Sequence, residues 1–143
     1  MQTYIGTKMI NARPMTRDTY SLYRGWTLPE DEDGDEPGYL VEYLDGSASN
    51  HPAHKNYISW SPKDVFEEAY VTLGKNVSGE PGYLQRLAGE LAEAKHRENK
   101  LYKFFWSQTY PELSPEEQQL LRAQHLCMQS YISILKNRRR LQK

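Results

Sequence analysis

One cysteine, Cys127, stands in 143 residues. It excludes an internal disulfide framework and cannot by itself build a zinc site. No run approaches the roughly 18 consecutive apolar residues of a membrane span, and the start of the chain lacks a basic-then-apolar order. Glycine-rich phosphate loops, nucleophile elbows and a Ser/His/Asp order are also missing, so the expectation is a protein that is not an enzyme and uses no cofactor. Phenylalanine is scarce at three residues, so the aromatic character rests on eleven tyrosines and three tryptophans. With a net charge of -1 the chain has no overall pull toward nucleic acid or membrane, and a cytoplasmic location is expected.

That neutrality hides two opposed halves. Residues 1–78 carry twelve acidic and seven basic side chains, and residues 79–143 carry seven acidic and eleven basic. The segment Gly74–Gly82 at the boundary is rich in turn formers. The expected organisation is a small α+β module over 1–73, a linker over 74–82 and an α-helical hairpin over 83–143.

In the first module, Thr3–Ala12 is extended in character. Thr16 can cap a short helix over Arg17–Arg24 that places Tyr20 and Tyr23 on one face and stops at Gly25. Tyr39–Leu44 and Tyr57–Trp60 read as strands of a small antiparallel sheet. Ser61 is expected to cap a following helix with Pro62 in its first turn and Val65, Phe66, Ala69 and Tyr70 on one side. In the second module, Leu84, Leu87, Leu91, Leu101 and Phe105 follow a repeat near 3.5 residues from Tyr83 to Trp106. Tyr110-Pro111 breaks that helix. Ser114 and Glu117 restart one as a capping box, ahead of the stripe Leu120, Leu121, Cys127, Met128, Tyr131, Ile134 and Leu135. Cys127 is read there as a small buried hydrophobe. Two helices cannot bury two such stripes alone, so the hairpin must dock on the first module, on a second copy of itself or on a partner; of these a homodimer is expected, which an aspartate at Leu91 or Met128 should split.

Several residue sets are candidate sites. The run Glu30–Glu36 places Asp31, Asp33 and Asp35 at the first, third and fifth positions of a calcium loop, with Glu42 at the twelfth. The sixth position holds Glu36 where glycine is needed, so no metal is expected and the run is read as a solvated, flexible acidic loop. Asp31, Asp33, Asp35 and Glu36 are instead candidate contacts for a basic partner. His51 and His54 could share a metal only if a carboxylate such as Asp45 joined them. Arg24, Trp26, Tyr39, Tyr57 and Trp60 are candidates for a pocket stacking a ring beside a cation, but the favoured reading of these aromatics is core, because so small a module has little else to bury. The basic end Lys136–Lys143 suits a helix C-terminus, and no nucleic-acid partner is expected from it.

Residues 4–71 also resemble a module of phage and prophage proteins. The resemblance is carried by Tyr4-Ile5-Gly6-Thr7-Lys8, Pro14-Met15-Thr16, Tyr20, Tyr23-Arg24-Gly25-Trp26, Gly38-Tyr39-Leu40-Val41-Glu42-Tyr43, Asp45-Gly46 and Tyr57-Ile58-Ser59-Trp60-Ser61-Pro62. In such proteins a similar module is fused to other domains, including one of the Thoeris anti-defence type that sequesters a nucleotide signal; that domain is not visible here. Residues 83–140 resemble a short phage helical-hairpin module. The resemblance implies a phage accessory protein acting in the host cytoplasm, and it supplies no catalytic residues. The expected function is a non-enzymatic binder that inhibits a host protein, such as a component of antiviral defence, by occluding its surface. The alternatives are a small-ligand binder that sequesters a nucleotide immune signal and a structural or oligomerising protein.

Overall fold

The computed structural model describes residues 1–74 and 77–142. Lys75 and Asn76 of the expected linker, and Lys143 of the basic end, lie outside the described residues. The fold is α+β and divides into two compact units, Met1–Tyr70 and Val71–Lys143.

The first unit is built on three antiparallel strands in the order β1 (Ile10–Pro14), β2 (Gly38–Tyr43), β3 (Ile58–Pro62), with β2 in the centre. Helix α1 (Arg17–Arg24) connects β1 to β2, and α2 (Lys63–Ala69) follows β3. Local chemistry sets α1. The Thr16 hydroxyl accepts from the Thr19 amide, and Gly25, at φ 72°, takes the left-handed position that turns the Trp26 N–H back to the Ser21 carbonyl while its own N–H donates to Leu22. The register pairs Leu40 with Trp60 and Glu42 with Ile58. Because side chains alternate along a strand, Leu40, Glu42, Ile58 and Trp60 share one face of the sheet. On that face Tyr20, Leu40 and Ile58 form a buried cluster, flanked by Met15, Tyr23 and Trp60. On the other face Tyr39 stacks on Phe66 of α2 at 4.0 Å.

Three local expectations need correction here. β1 starts at Ile10, not Thr3, because Ile10 pairs with Tyr43 at the very end of β2 and earlier residues have no strand to join; Tyr4 and Ile5 are exposed. Ser61 does not cap α2, since it lies inside β3 opposite Tyr39; instead the Lys63 amide donates to the Pro37 carbonyl at 2.9 Å. Of the four residues expected on one side of α2, Phe66 and Tyr70 pack ring against ring at 5.0 Å with a tilt of 31°, whereas Val65 and Ala69 are exposed.

The second unit is a helical hairpin. A 3-10 turn over Val77–Gly79, with Val77 buried, precedes α3 (Gly82–Phe104); a second 3-10 turn over Tyr110–Glu112 precedes α4 (Pro115–Leu141). The capping box that starts α4 is formed in both directions: Ser114 Oγ accepts from the Glu117 amide at 3.2 Å, and Glu117 accepts from the Ser114 amide at 3.1 Å. Leu87 and Leu91 pack on Ile132 and Leu135, with Leu84 and Ala94 against them. One row of buried and half-buried residues along α3 runs through Leu84, Leu87, Leu91, Ala94, Glu98 and Leu101 to Phe105 just past its end; along α4 a matching row runs through Leu121, His125, Met128, Ile132, Leu135 and Arg139. Both rows alternate steps of three and four, the spacing of a coiled-coil seam. Glu98 and His125 meet within that seam at 2.7 Å, and Arg139 closes one end on Glu80 at 2.9 Å.

The inward face of α4 therefore differs from the expected stripe. Leu120, Cys127, Tyr131 and Ile134 are exposed, while His125 and Ile132 point inward. The helix carries apolar neighbours at Leu120-Leu121 and Ile134-Leu135. Consecutive residues lie about 100° apart around a helix, so only one of each pair can face α3. Cys127 is thus not a buried hydrophobe.

Candidate functional site

The acidic run is fixed to the start of α1. The Arg17 amide donates to the Glu36 carbonyl at 3.1 Å and the Asp18 amide to the Gly34 carbonyl at 3.0 Å. The Arg17 guanidinium pairs with Glu32 and lies 3.8 Å from Glu36. The loop is thus tied to α1 by the carbonyls of Gly34 and Glu36. Asp31, Asp33 and Asp35 remain exposed, and Glu36 is half-buried beside Arg17. The calcium-loop pattern is also broken in space. Asp33 accepts from the Asp35 amide, and Glu42, the twelfth position, is bound to His54 and Asn56.

Arg24, Trp26, Tyr39, Tyr57 and Trp60 are not brought into one pocket. Arg24 lies over the Trp26 ring, 4.4 Å from its centroid. Trp60 donates its indole N–H to the Met15 carbonyl at 2.8 Å, with Arg17 over its ring. Tyr39 donates to Glu67 at 2.8 Å, and Tyr57 packs near Tyr43. Strand alternation places Tyr39 and Tyr57 on the face opposite Trp60, so no single cavity can contain all three.

The sheet face under α1 holds a different arrangement, around Tyr23. The His51 ring stacks on Tyr23 at 4.3 Å and His51 Nε2 lies 3.1 Å from the Tyr23 carbonyl. His54 Nε2 lies 3.0 Å from the Tyr23 hydroxyl, and His54 Nδ1 lies 3.1 Å from Glu42. Asn50 fixes the histidine loop by exchanging two 2.9 Å bonds with the Ile58 backbone. Burial raises the Glu42 pKa, but hydrogen bonds from His54 and Asn56 outweigh it and hold the carboxyl below its ordinary value. Asp45, the carboxylate considered as a third metal ligand, is instead paired with Lys8 at 2.8 Å. Among the described residues no three His, Cys, Asp or Glu side chains converge as a metal-ligand group. Beside this chain lies a depression of about 300 Å³ bounded by Arg13, Tyr23, Leu40, Glu42 and His54.

A larger depression, of about 490 Å³, lies in the second unit. Ala88, Leu91, Ala92, Lys95, His96 and Asn99 of α3 line it, together with Val71–Leu73 and Arg139. The small side chains at 88 and 92, one turn apart, leave a shallow floor, and Lys95, His96 and Asn99 place donors beside it. Arg139 is already committed to Glu80 and to the Leu84 carbonyl, whereas Lys95 is exposed. None of these residues is among the sequence-based candidates; two alanines followed by Lys95 and Asn99 on one helical face are the local signal they leave.

Residues 81–141 match the family model described as Sequestin, a span that covers α3, α4 and the turn between them but less than half of the chain. No curated protein matches the chain. No solved structure matches it either. Among the described residues no helix is long and apolar enough to cross a membrane.

Proposed function

We propose that this chain is a phage-encoded, non-enzymatic binding protein whose helical hairpin sequesters a small anionic, nucleotide-like signal of antiviral defence in the host cytoplasm. The observation that carries this reading is a coincidence of position. The span matching Sequestin, a name that denotes sequestration, is the span that forms most of the 490 Å³ depression with its Lys95, His96, Asn99 and Arg139 rim. Its size is that of a small-ligand pocket, its floor is apolar for a ring, and its cationic and amide groups suit phosphate oxygens. Binding alone, with no reaction, is enough to remove such a signal from solution.

The test has two parts. Protein purified from phage-infected cells is heat-denatured and the released small molecules identified by mass spectrometry. The refolded protein is then titrated calorimetrically with ADP and with inorganic pyrophosphate. Lys95→Ala is expected to lower affinity about tenfold, equivalent to ~1.4 kcal/mol. Release of no nucleotide, together with flat titrations, would overturn the reading.

A second reading, occlusion of a host protein, draws on the acidic run. Asp31, Asp33 and Asp35 are exposed on a backbone tied to α1, a preformed negative surface for a basic partner. Replacing all three with Asn should then abolish capture of that partner without affecting nucleotide release.

A further inference from the structure

Helix α4 carries two apolar rows, and the hairpin uses one of them. Leu121, Met128, Ile132 and Leu135 face α3. The other row, offset by one residue, consists of Leu120, Cys127, Ile134 and Leu141, each seven residues from the next. All four are exposed, Leu120 at 63%, Ile134 at 56% and Leu141 at 75%, and Tyr131 lies beside them at 42%. A strict seven-residue repeat is the signature of a helix that supercoils with another helix, and this one runs for about 32 Å. Soluble monomers seldom leave such a stripe in water.

We propose that a second copy of this chain covers the row, with the two α4 helices packed antiparallel about a two-fold axis near Ser130 and Tyr131. The distribution of charge selects both the occupant and the direction. Glu116 sits in the first turn, Lys136, Arg138 and Arg140 lie near the end, and no Asp, Glu, Lys or Arg occurs between Arg122 and Lys136. A parallel pair would set Lys136, Arg138 and Arg140 against their own images. An antiparallel pair sets Leu120 opposite Leu141 of the second copy and Cys127 opposite its Ile134, and turns the acidic first turn of α4 (Glu116, Glu117) toward the basic end of the second copy, about 7.5 Å along the axis from its Arg140. Arg122, which falls opposite Arg139, is engaged with the Tyr110 hydroxyl of its own hairpin. The surface is thereby self-complementary, as a two-fold interface must be. The ligand depression is built largely on α3, so pairing does not depend on what the hairpin binds. The row also corrects the choice of probe: Leu91 is buried inside the hairpin and Met128 lies in its seam, so an aspartate at either would damage the fold and not report on association.

Light scattering of the full chain at micromolar concentration should give twice the chain mass of 16.7 kDa. Ile134→Asp should give one chain mass with unchanged helical circular dichroism. Mild oxidation distinguishes the direction. Wild-type Cys127 should fail to cross-link to its counterpart, about 10 Å away along the axis in this register. Ile134→Cys should cross-link readily through Cys127 of the other copy. A monomeric wild type, or a dimer that survives Ile134→Asp, would overturn the proposal, and an efficient Cys127–Cys127 bond in wild type would overturn its antiparallel geometry.

Discussion

Leu135 and Leu126 lie on the same helix, and replacing each with alanine removes the same three carbons. Leu135 is fully buried against Leu87, Leu91 and Ile132, whereas Leu126 is 65% exposed and outside both apolar rows. Removing three buried carbons forfeits about 2.4 kcal/mol of transfer free energy at ~0.8 kcal/mol each. The cavity left among the three neighbours adds to this, because long helices relax only partly around a void; about 3–4 kcal/mol is expected in total, inside the range of ~2.7–5 kcal/mol known for such changes. Leu126→Ala should stay within about 0.5 kcal/mol of wild type. Urea titration of the full chain, followed by the helical signal at 222 nm, measures both. With a slope of ~1.5 kcal/mol per molar urea, Leu135→Ala should lower the midpoint by roughly 2 M. All three proteins must be compared at one concentration, since association stabilises the folded state by mass action. Equal midpoint shifts for the two variants would refute the assignment of the inward face of α4.

Three further outcomes are expected. Gly38→Ala should destabilise the first unit by at least ~2 kcal/mol, because a Cβ there would overlap the Trp60 indole and the Ser61 carbonyl; tryptophan fluorescence on heating reads it. Glu42 is held below its ordinary pKa of 4.5, so its contribution is fully present above that value and is lost as pH falls through the lower folded value; between about pH 6 and about pH 3 the melting temperature of wild type should fall more than that of Glu42→Gln. Ser114→Ala removes the hydroxyl side of the capping box and should cost about 1 kcal/mol in the same urea titration.

Where structure is decided by neighbours in the chain, the sequence was readable. Thr16, Gly25 and the Ser114–Glu117 pair end or start helices at the residues expected of them, since each acts within four positions. Reading failed where a distant partner decides. Leu120 and Leu121 are equally apolar, and only the presence of α3 selects the second. Ser61 has the chemistry of a cap, but pairing with Tyr39 takes it into the sheet. The expected ring-and-cation pocket failed because residues close in sequence alternate between the two faces of a sheet. The meeting of Tyr23 with His51 and His54 spans 28 and 31 positions and leaves no local trace. The α3 depression was the nearer miss, since its lining residues share one helical face.

Glu98 and His125 occupy seam positions whose neighbours are Ala94, Leu101, Leu121 and Met128. If α4 slid along α3 by one step of the repeat, most of the leucines would find another apolar side chain, and burial alone would barely object. The carboxylate and the imidazole would object. Each would be left facing hydrocarbon without its partner, at about 1–3 kcal/mol apiece. The pair thus works as a detent: it gives an otherwise slippery hairpin one resting position. A slip by one notch would also change the spacing between the depression on α3 and the outer row of α4, so the pair favours a single value of that length.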